Sequence, residues 1–367
     1  MVATGLVSGM SFIPGFWRHG DSRIMSAALR RRFGAASVFD FPYDWRRSIA
    51  ASATALGAAI RRVLESRPPG TRVVLVGHSM GGLVARRYVA CEGGAEHGSL
   101  LIALGTPFRG AVQALEALAH GILPPYDCFV HVDGRRSGIA AARPPAVVST
   151  GLYAAAAAVH AEVGAAIAQL GPLMPPTLAI VGQHQWTPTF ARLRSDGDFA
   201  LLESSGWKGD DFHRSHGDGT VPRGSAQLPE WGDDPTRAHV VVGRHVDLPC
   251  IPEMDAVLGA ALVGRRYLGL AHDPEAGLAI ELPELVGAGE PVEVRASHPD
   301  DGLALELSVT DIHDGEVVAH AALANLGGGS YRQVLTRLGS GQYSVAVSGL
   351  AEGRPQRVSD LVIVLPE

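Results

Sequence analysis

The stretch VVLVGHSMGGLVARRY, residues 73–88, decides how this sequence is interpreted. Four apolar residues lead into Gly77, His78 and Ser79, and two more glycines follow directly after Met80. A continuous apolar run of this kind is typical of a strand buried on both faces of a parallel sheet, and the apolar segment after the glycines predicts a helix. The sequence therefore places a serine at a sharp turn between a strand and a helix.

The pentapeptide GHSMG, residues 77–81, fits G-x-S-x-G, which marks a nucleophile elbow when a strand precedes it and a helix follows. We expect Ser79 to take a strained backbone conformation that projects its hydroxyl, with glycines at positions 77 and 81 because side chains there would collide. The helix directs N–H groups at the reacting centre, so the backbone N–H of Met80 is a candidate oxyanion donor. The alternative is a glycine-rich turn with a passive serine.

Composition narrows the class of protein. The chain has 367 residues, a net charge of −6, 46% hydrophobic residues and 19% charged residues, which is typical of a globular protein with a large core. Without a long basic run it offers nucleic acid no electrostatic footprint, so nucleic acid is not an expected partner. No zinc-type or phosphate-loop spacing occurs, and we expect neither a metal nor an organic cofactor.

Cysteine usage and the first residues bear on the compartment. The cysteines, Cys91, Cys128 and Cys250, are odd in number and far apart, which favours a reducing environment. The opening residues lack the basic and continuous apolar segments of a secretory signal, so a cytoplasmic location is expected if Met1 is the true start. The alanine-rich residues 153–170 contain a histidine and a glutamate, which favours a soluble helix over a membrane span.

Strands and helices alternate through the first half, which predicts an α/β domain with a mostly parallel sheet. Helices are expected from Ser22 to Gly34 and from Ile49 to Pro68, where apolar residues recur every three or four positions. The expected strands are ASVFDF (36–41), RVVLV (72–76), LLIALG (100–105), TLAIVG (177–182) and HVVVG (239–243). Residues 112–176 are interpreted as a cap insertion over the ligand edge of the sheet; the alternative is an ordinary crossover with long loops.

The pattern changes after about residue 272. Six stretches alternate apolar and polar residues and are separated by turns, which predicts an all-β, immunoglobulin-like sandwich of antiparallel strands. They are EPVEVRAS (290–297), LALELSVTD (303–311), EVVAHA (316–321), YRQVLTRL (331–338), QYSVAVSG (342–349) and DLVIVLP (360–366). The predicted domains are therefore 1–271 and 272–367, the second an accessory module for packing, protein partners or carbohydrate.

A serine hydroxyl becomes a nucleophile when a histidine, oriented by a carboxylate, takes its proton. In this topology the chain order is serine, acid, histidine. The loop HGDGTVP (216–222) carries Asp218, and the loop GRHVDLP (243–249) carries His245. Both residues lie in predicted loops at strand ends, where α/β sheets build their sites. The alternatives are a turn aspartate bonded to its own backbone and a surface histidine.

Other histidines compete for the role of base. His213, His216 and His239 are rivals, of which His216 lies too close to Asp218 and His239 begins a predicted strand. His78 adjoins the serine in sequence, but we expect its side chain to point elsewhere. His245 is therefore the preferred base.

Four motifs in order resemble the lecithin:cholesterol acyltransferase family, which includes lysosomal-type phospholipases and bacterial esterase relatives. They are FPYDWRR (41–47), GHSMGG (77–82), LGTPFRGA (104–111) and GDGTVP (217–222), followed by the His245 loop. The resemblance covers about residues 10–265. It implies an α/β-hydrolase fold, acyl transfer or hydrolysis on mostly lipid esters, and a triad at Ser79, Asp218 and His245.

Three aromatic residues are candidate substrate contacts. The resemblance places FPYDWRR close to the active site, although packing is the favoured role for Trp45. Phe108 either lines the acyl pocket or packs in the core. Trp17 follows the Pro-Gly turn of SFIPGFW.

The second oxyanion donor is the point of departure from the family, in which it follows an N-terminal strand that ends in a Pro-Gly turn. Either LVSGMSFIPG (6–15) is that strand and Phe16 lies in the donor loop, or the chain lacks the family's first strand and its lid. The expected function is a serine esterase, lipase-like hydrolase or O-acyltransferase acting on apolar acyl esters. The alternative is a weak or inactive hydrolase-fold scaffold with an incomplete oxyanion hole; an amidase or peptidase is less favoured.

Overall fold

The computed structural model describes most of the chain. The described residues are 10–13, 17–19, 22–45, 47–112, 150–193, 199–202, 217–232, 237–250, 258–259, 277–283, 285–287, 289–311, 315–336, 338–351 and 354–365.

The helices and strands up to residue 242 are, in chain order, β1 (Met10–Ile13), β2 (Trp17–His19), α1 (Ser22–Phe33), α2 (Ile49–Glu65), β3 (Val73–His78), α3 (Met80–Cys91), β4 (Gly98–Leu104), α4 (Thr150–Leu170), β5 (Thr177–Gln183), β6 (Phe190–Leu193), β7 (Phe199–Leu202) and β8 (His239–Val242).

A parallel sheet with the strand order β3-β4-β5-β8 forms the centre of this part. The carboxyl ends of all four strands therefore meet at one edge, where His78 pairs with Leu104 and Gln183 with Val242. Helix α3 packs on β3 and β4 and α2 packs on α3, around a core that includes Leu56, Tyr88 and Leu101. A parallel sheet flanked by helices is the α/β architecture that the alternation predicts, and it fits the α/β-hydrolase core that the resemblance implies.

The first two helices follow their sequence signals. α2 begins after Ser48, whose hydroxyl accepts a hydrogen bond from the N–H of Ala51 at 3.1 Å, and it buries the apolar face of Ile49, Ala53, Leu56 and Ile60. α1 ends at Phe33, where Gly34 has a φ of 84° that side chains rarely adopt.

The strand predicted over residues 36–41 is wrong. Ala35–Ser37 form a short 3-10 helix, and the residues after it are extended without strand pairing. The carbonyl of Ala36 is bonded by the guanidinium of Arg67, and Phe39 is 55% exposed under the same guanidinium. Since the apolar side chains are not all buried and no ladder hydrogen bonds form, the apolar pattern here does not produce a strand.

The segment LVSGMSFIPG contains a strand, but that strand lies outside the parallel sheet. Within the described residues, β1 pairs only with β2, as an antiparallel hairpin. Pro14, Gly15 and Phe16 lie outside the described residues. The structure thus places β1 but leaves the predicted donor loop as a prediction.

Most of the predicted cap, residues 113–149, lies outside the described residues. The described remainder contains α4, which leads through a 3-10 turn into β5 and is joined to α3 by the ion pair of Arg87 with Glu162 at 2.8 Å. This part of 112–176 is thus a crossover helix. In the described part of the chain, no helix combines the length and the apolar character that a bilayer span requires.

The strands from residue 279 onward are β9 (Ala279–Glu281), β10 (Leu285–Val286), β11 (Val292–Ser297), β12 (Glu306–Asp311), β13 (Val317–Ala322), β14 (Ala324–Gly327), β15 (Ser330–Leu335), β16 (Gly341–Ala351) and β17 (Arg354–Val364).

These strands form two sheets, with the orders β14-β15-β11-β9 and β10-β17-β16-β12-β13. All pairs are antiparallel except β10 with β17, which is parallel. Both sheets contribute to one core, with Val294 and Tyr331 from the first and Val309, Val347 and Val362 from the second. All six predicted strands are present. The predicted domain boundary at 271/272 lies outside the described residues.

Candidate active site

Ser79 occupies the turn between β3 and α3 with φ 53° and ψ −127°. A positive φ costs a residue with a side chain on the order of 1–3 kcal/mol, so the surrounding contacts must hold the turn. The N–H of Ser79 donates to the carbonyl of Leu104 at 2.8 Å, and the N–H of Gly82 donates to the carbonyl of Ser79 at 3.0 Å. The strand, strained turn and helix expected of a nucleophile elbow are therefore all present.

The glycines around Ser79 have different reasons to be there. A side chain at Gly77 would place Cβ 2.5 Å from the N of Gly82, and one at Gly82 would collide with the hydroxyl of Thr106. A Cβ at Gly81 would meet only the hydroxyl of Tyr43, at 3.8 Å. The predicted collision thus occurs at Gly77 but not at Gly81; the second crowded position is Gly82, because α3 packs there against the loop after β4.

Asp218 and His245 form a buried pair. Nδ1 of His245 lies 2.7 Å from Oδ2 of Asp218, and the two side chains are 4% and 1% exposed. The other carboxylate oxygen accepts from the N–H groups of Thr220, at 2.9 Å, and Val221, at 2.6 Å. Asp218 therefore bonds both to its own turn and to His245, so the two interpretations made from the sequence describe one arrangement.

The loops that carry this pair are bound to each other and to the end of β4. The N–H of His245 donates to the carbonyl of Asp218 at 2.7 Å. Gly105, directly after β4, has a φ of 53°, and a Cβ there would lie 2.8 Å from Oδ2 of Asp218 and 2.9 Å from Nδ1 of His245. Because Leu104 also binds the N–H of Ser79, the structure brings the serine, the aspartate and the histidine to the same edge of the sheet.

The expectation that His78 points away from the site is wrong. Its ring lies against the ring of His245, with centroids 4.7 Å apart, and its Nε2–H donates to the carbonyl of His245 at 2.8 Å. His78 is the last residue of β3, so its side chain reaches the loop after β8 from the elbow side. The sequence does not reveal this contact, because no motif assigns a role to the residue before the serine.

The other predicted site residues are placed as follows. Met80, the candidate oxyanion donor, is the first residue of α3. Phe108 is 2% exposed in the core, with the guanidinium of Arg86 5.0 Å from its ring, so it packs in the interior and its contact with an acyl group stays a prediction. Trp45 is half-buried against the same core.

Several of the remaining candidate site residues lie outside the described residues. Phe16 is outside the described residues, and of Trp17 only the backbone, in β2, is described. Among the rival histidines, His213 and His216 are also outside the described residues, whereas His239 begins β8 as predicted. Within the described ranges, no group of three or more His, Cys, Asp or Glu side chains is placed to hold a metal ion.

Asp247 is a second buried carboxylate of the His245 loop. Burial raises its pKa to about 6, against the lowering effects of the hydrogen bonds from Ser359 and of the positive charge of Arg357. The N–H of Ser359 donates to Oδ2 of Asp247 at 2.9 Å, and its hydroxyl donates to Oδ1 at 2.5 Å. The loop that carries His245 is therefore attached to β17 of the C-terminal part.

Three solved structures illustrate the likeness of known folds to this chain, which is loose in each case. The lipase BlEst2 of Bacillus licheniformis in its propeptide form is 14% identical, with 98% of this chain and 96% of that chain covered and a TM-score of 0.40. Its mature form is 17% identical, with 71% and 96% covered and a TM-score of 0.35. A superoxide reductase (neelaredoxin) from Ignicoccus hospitalis is 18% identical, with 26% and 88% covered and a TM-score of 0.22. At such TM-scores the fold rests on the sheet topology described above.

A known family matches the part of the chain that contains three of the four motifs. No curated protein matches the sequence. Residues 33–132 match the family described as lecithin:cholesterol acyltransferase. The matched range contains the FPYDWRR, GHSMGG and LGTPFRGA motifs, whereas Asp218 and His245 lie beyond it. The resemblance of this chain to the lecithin:cholesterol acyltransferase family, inferred from the order of its motifs, is thus confirmed over residues 33–132.

Proposed function

We propose that this protein is a serine hydrolase of apolar acyl esters, with Ser79 as nucleophile, His245 as base and Asp218 as the carboxylate that orients the base. The observation that carries the proposal is the buried 2.7 Å contact of His245 Nδ1 with Asp218 Oδ2, beside the strained turn at Ser79. The family match over residues 33–132 supports an activity of the lipid esterase or acyltransferase type.

The hydrogen bonds assign the nitrogens of His245. Asp218 accepts the Nδ1–H, which fixes the tautomer and leaves Nε2 as the nitrogen that takes a proton from Ser79. The N–H groups of Thr220 and Val221 hold the carboxylate from its other side, so that it faces the imidazole. An ionised Asp218 then stabilises the imidazolium that forms during the reaction.

The proposed reaction has two halves. The hydroxyl oxygen of Ser79 bonds to the ester carbonyl carbon while Nε2 of His245 takes its proton, and the N–H of Met80 is the candidate donor to the oxyanion that forms. The bond to the leaving oxygen then breaks, and His245 returns the proton to the departing alcohol. Water attacks the acyl-Ser79 ester by the same route and releases the acid. An alcohol in place of water would make the same step an acyl transfer.

The charges around His245 favour a neutral substrate. Arg244 is the cationic side chain next to this histidine in sequence, and its buried guanidinium forms an ion pair with Asp360. It is therefore compensated inside the protein and adds little attraction for an anionic ester. This agrees with the preference for apolar acyl esters that the family resemblance implies.

We also propose that the C-terminal strands form an immunoglobulin-like accessory domain. The support is the strand order. The first sheet, β9-β11-β15-β14, corresponds to the strand order ABED, and in the second sheet β17-β16-β12-β13 corresponds to GFCC′. Such a domain offers contacts to partners, and among its described residues from 277 onward no group of His, Cys, Asp or Glu side chains could hold a metal ion.

The experiment is hydrolysis of p-nitrophenyl esters from acetate to palmitate by the wild type, Ser79→Ala and the control Ser66→Ala, whose hydroxyl bonds only to the end of α2. We expect the wild type and Ser66→Ala to be equally active and Ser79→Ala to lose activity by a factor of about 10⁴ or more. A fluorophosphonate should label Ser79, identified by mass spectrometry of the peptide. A folded wild type that neither turns over esters nor is labelled would refute the proposal.

A further inference from the structure

We infer that the last strand of the C-terminal domain positions the candidate base: Ser359 and Asp360 of β17 hold the loop 244–247, which carries His245. The inference rests on the proposed function, because it assigns these two residues a role in the reaction through His245. With this role, the C-terminal domain contributes to the candidate active site and not only to packing.

The first attachment is an ion pair on one side of His245. The guanidinium of Arg244 is bound by the carboxylate of Asp360, and the two side chains are 9% and 1% exposed. A buried ion pair is poor evidence for stability, since desolvation offsets most of the attraction, but removal of one partner leaves a buried charge uncompensated. Loss of this pair is therefore costly, and it attaches residue 244 to β17.

The second attachment lies on the other side of His245. Asp247 accepts both the N–H and the hydroxyl of Ser359, at 2.9 and 2.5 Å. Ser359 and Asp360 are consecutive in β17, and their contacts with Asp247 and Arg244 hold the loop at two points that flank the histidine. Between these points the loop is a single turn, closed by the hydrogen bond from the N–H of Asp247 to the carbonyl of Arg244 at 3.0 Å.

The same arginine also reaches the loop of the candidate acid. A Cβ at Gly219 would lie 2.6 Å from Nη1 of Arg244, so the guanidinium packs directly on the residue after Asp218. Asp218, His245 and Asp360 line one small cavity together with Arg244. The contacts made by β17 thus extend to both members of the candidate base and acid pair.

A loop held on both sides has little freedom to turn its histidine away from Ser79. A displacement of about 1 Å in a reacting group lowers the rate by a factor of about 10². Asp360 and Ser359 do not touch the reacting atoms in this arrangement, so they are positioning residues. Their loss should therefore lower kcat and leave KM nearly unchanged.

The test compares Asp360→Asn and Ser359→Ala with Val347→Ala, which lies in the core of the same domain and away from the loop. We expect kcat to fall by a factor of about 10–100 in the first two, with KM within about twofold of the wild-type value. Val347→Ala should lower the Tm but keep the wild-type kcat. Wild-type kcat values in folded Asp360→Asn and Ser359→Ala would overturn the inference.

A second readout is the NMR signal of His245 in protein labelled with ¹³C-histidine, assigned with His245→Gln. The imidazole contacts Asp218 and the ring of His78, and the ion pair of Arg244 with Asp360 lines the same small cavity. Loss of a contact between β17 and the loop should therefore shift and broaden the His245 signal in Asp360→Asn and Ser359→Ala, whereas Val347→Ala should keep the wild-type signal. A wild-type His245 signal in both β17 variants would count against the inference.

The two readouts separate the inference from the proposed function. If the wild type hydrolyses no ester and binds no fluorophosphonate, the proposed function fails, but the NMR signal of His245 still tests whether β17 holds its loop. If Asp360→Asn does not fold, the double variant Arg244→Gln/Asp360→Asn removes both charges, and its kcat should fall as in Ser359→Ala. A folded double variant with wild-type kcat would overturn the inference.

Discussion

Gly81 and Gly82 are adjacent in α3, yet their surroundings predict opposite responses to alanine. At Gly82 the new Cβ would collide with the hydroxyl of Thr106, and overpacking of this kind costs about 1–3 kcal/mol. At Gly81 it would meet only the hydroxyl of Tyr43 at 3.8 Å, and alanine favours a helix by about 1 kcal/mol over glycine. We expect Gly82→Ala to lower the urea midpoint and esterase activity, and Gly81→Ala to keep or raise the midpoint. Equal losses in both variants would show that the elbow is packed differently.

His78 is the residue whose role the structure adds. His78→Phe keeps a ring against His245 but removes the donor to its carbonyl, whereas His78→Gln keeps a donor and removes the ring. One such hydrogen bond contributes about 0.5–1.5 kcal/mol, so we expect His78→Phe to slow labelling of Ser79 by fluorophosphonate by a factor of roughly 3–10. His78→Gln should be affected less if the hydrogen bond is the main term. Labelling at the wild-type rate in both variants would mean that His78 does not hold the loop.

Some residues of the candidate site can be predicted from the sequence, whereas others are revealed only by the structure. Ser79, Asp218 and His245 were predicted because a motif, a chain order and predicted strand ends restrict the choices. His78 and Gly82 were not, since their roles arise from contacts with the loops after β8 and β4, which are distant in sequence. Sequence patterns thus indicate the candidate reacting groups and miss the residues that contact their loops.

At the scale of the elements, the loop between β8 and the 3-10 turn at Leu248–Cys250 contains Asp247, whose raised pKa makes the stability of the protein depend on pH. Burial raises the pKa of Asp247 from 3.8 to about 6, so the folded state binds a proton that the unfolded state releases. The group therefore contributes its full stability below about pH 4 and loses it as the pH rises through about 6, a loss of about 3 kcal/mol.

The difference in unfolding free energy between the wild type and Asp247→Asn tests this linkage, because the other carboxylates cancel. We expect the difference, wild type minus variant, to fall by about 3 kcal/mol between about pH 4 and pH 7. Asn keeps a carbonyl oxygen to accept the N–H of Ser359, so the loop should remain attached. A difference that is flat with pH would show that Asp247 titrates as an ordinary carboxylate.

The strands that the sequence predicts correctly are those in which periodicity and burial agree. The central strands and all six alternating strands of the C-terminal part carry their pattern over enough residues to be recognised, and each is present. β9, β10 and β14 have three, two and four residues, too few for alternation to be detected. Residues 36–41 show the opposite error, a predicted strand that does not form. An apolar pattern does not produce a strand unless a neighbouring strand pairs with its backbone.

At the scale of the whole molecule, two hydrophobic cores are joined by polar contacts close to the candidate site. One core lies between the parallel sheet and its helices, and the other lies between the two C-terminal sheets. Gln185, fully buried after β5, donates to the carbonyl of Leu278 at 3.0 Å and accepts from the N–H of Ile280 at 3.3 Å. Its own N–H donates to the carbonyl of Gly217, the residue before Asp218. The polar contacts of Gln185 and Ser359 between the two cores therefore lie next to the loops that carry Asp218 and His245.

This arrangement predicts that the two domains unfold together. Buried polar groups that lose their partners cost about 1–3 kcal/mol each, so the separated domains would be less stable than the joined ones. We expect calorimetry of the wild type to show one transition and of Gln185→Ala/Ser359→Ala to show two, with the esterase activity lost in the first. Val309→Ala, in the C-terminal core alone, is the control: coupling should make it lower the temperature of the single transition for the whole chain. Two transitions in the wild type would mean that the C-terminal domain does not stabilise the acid and base loops.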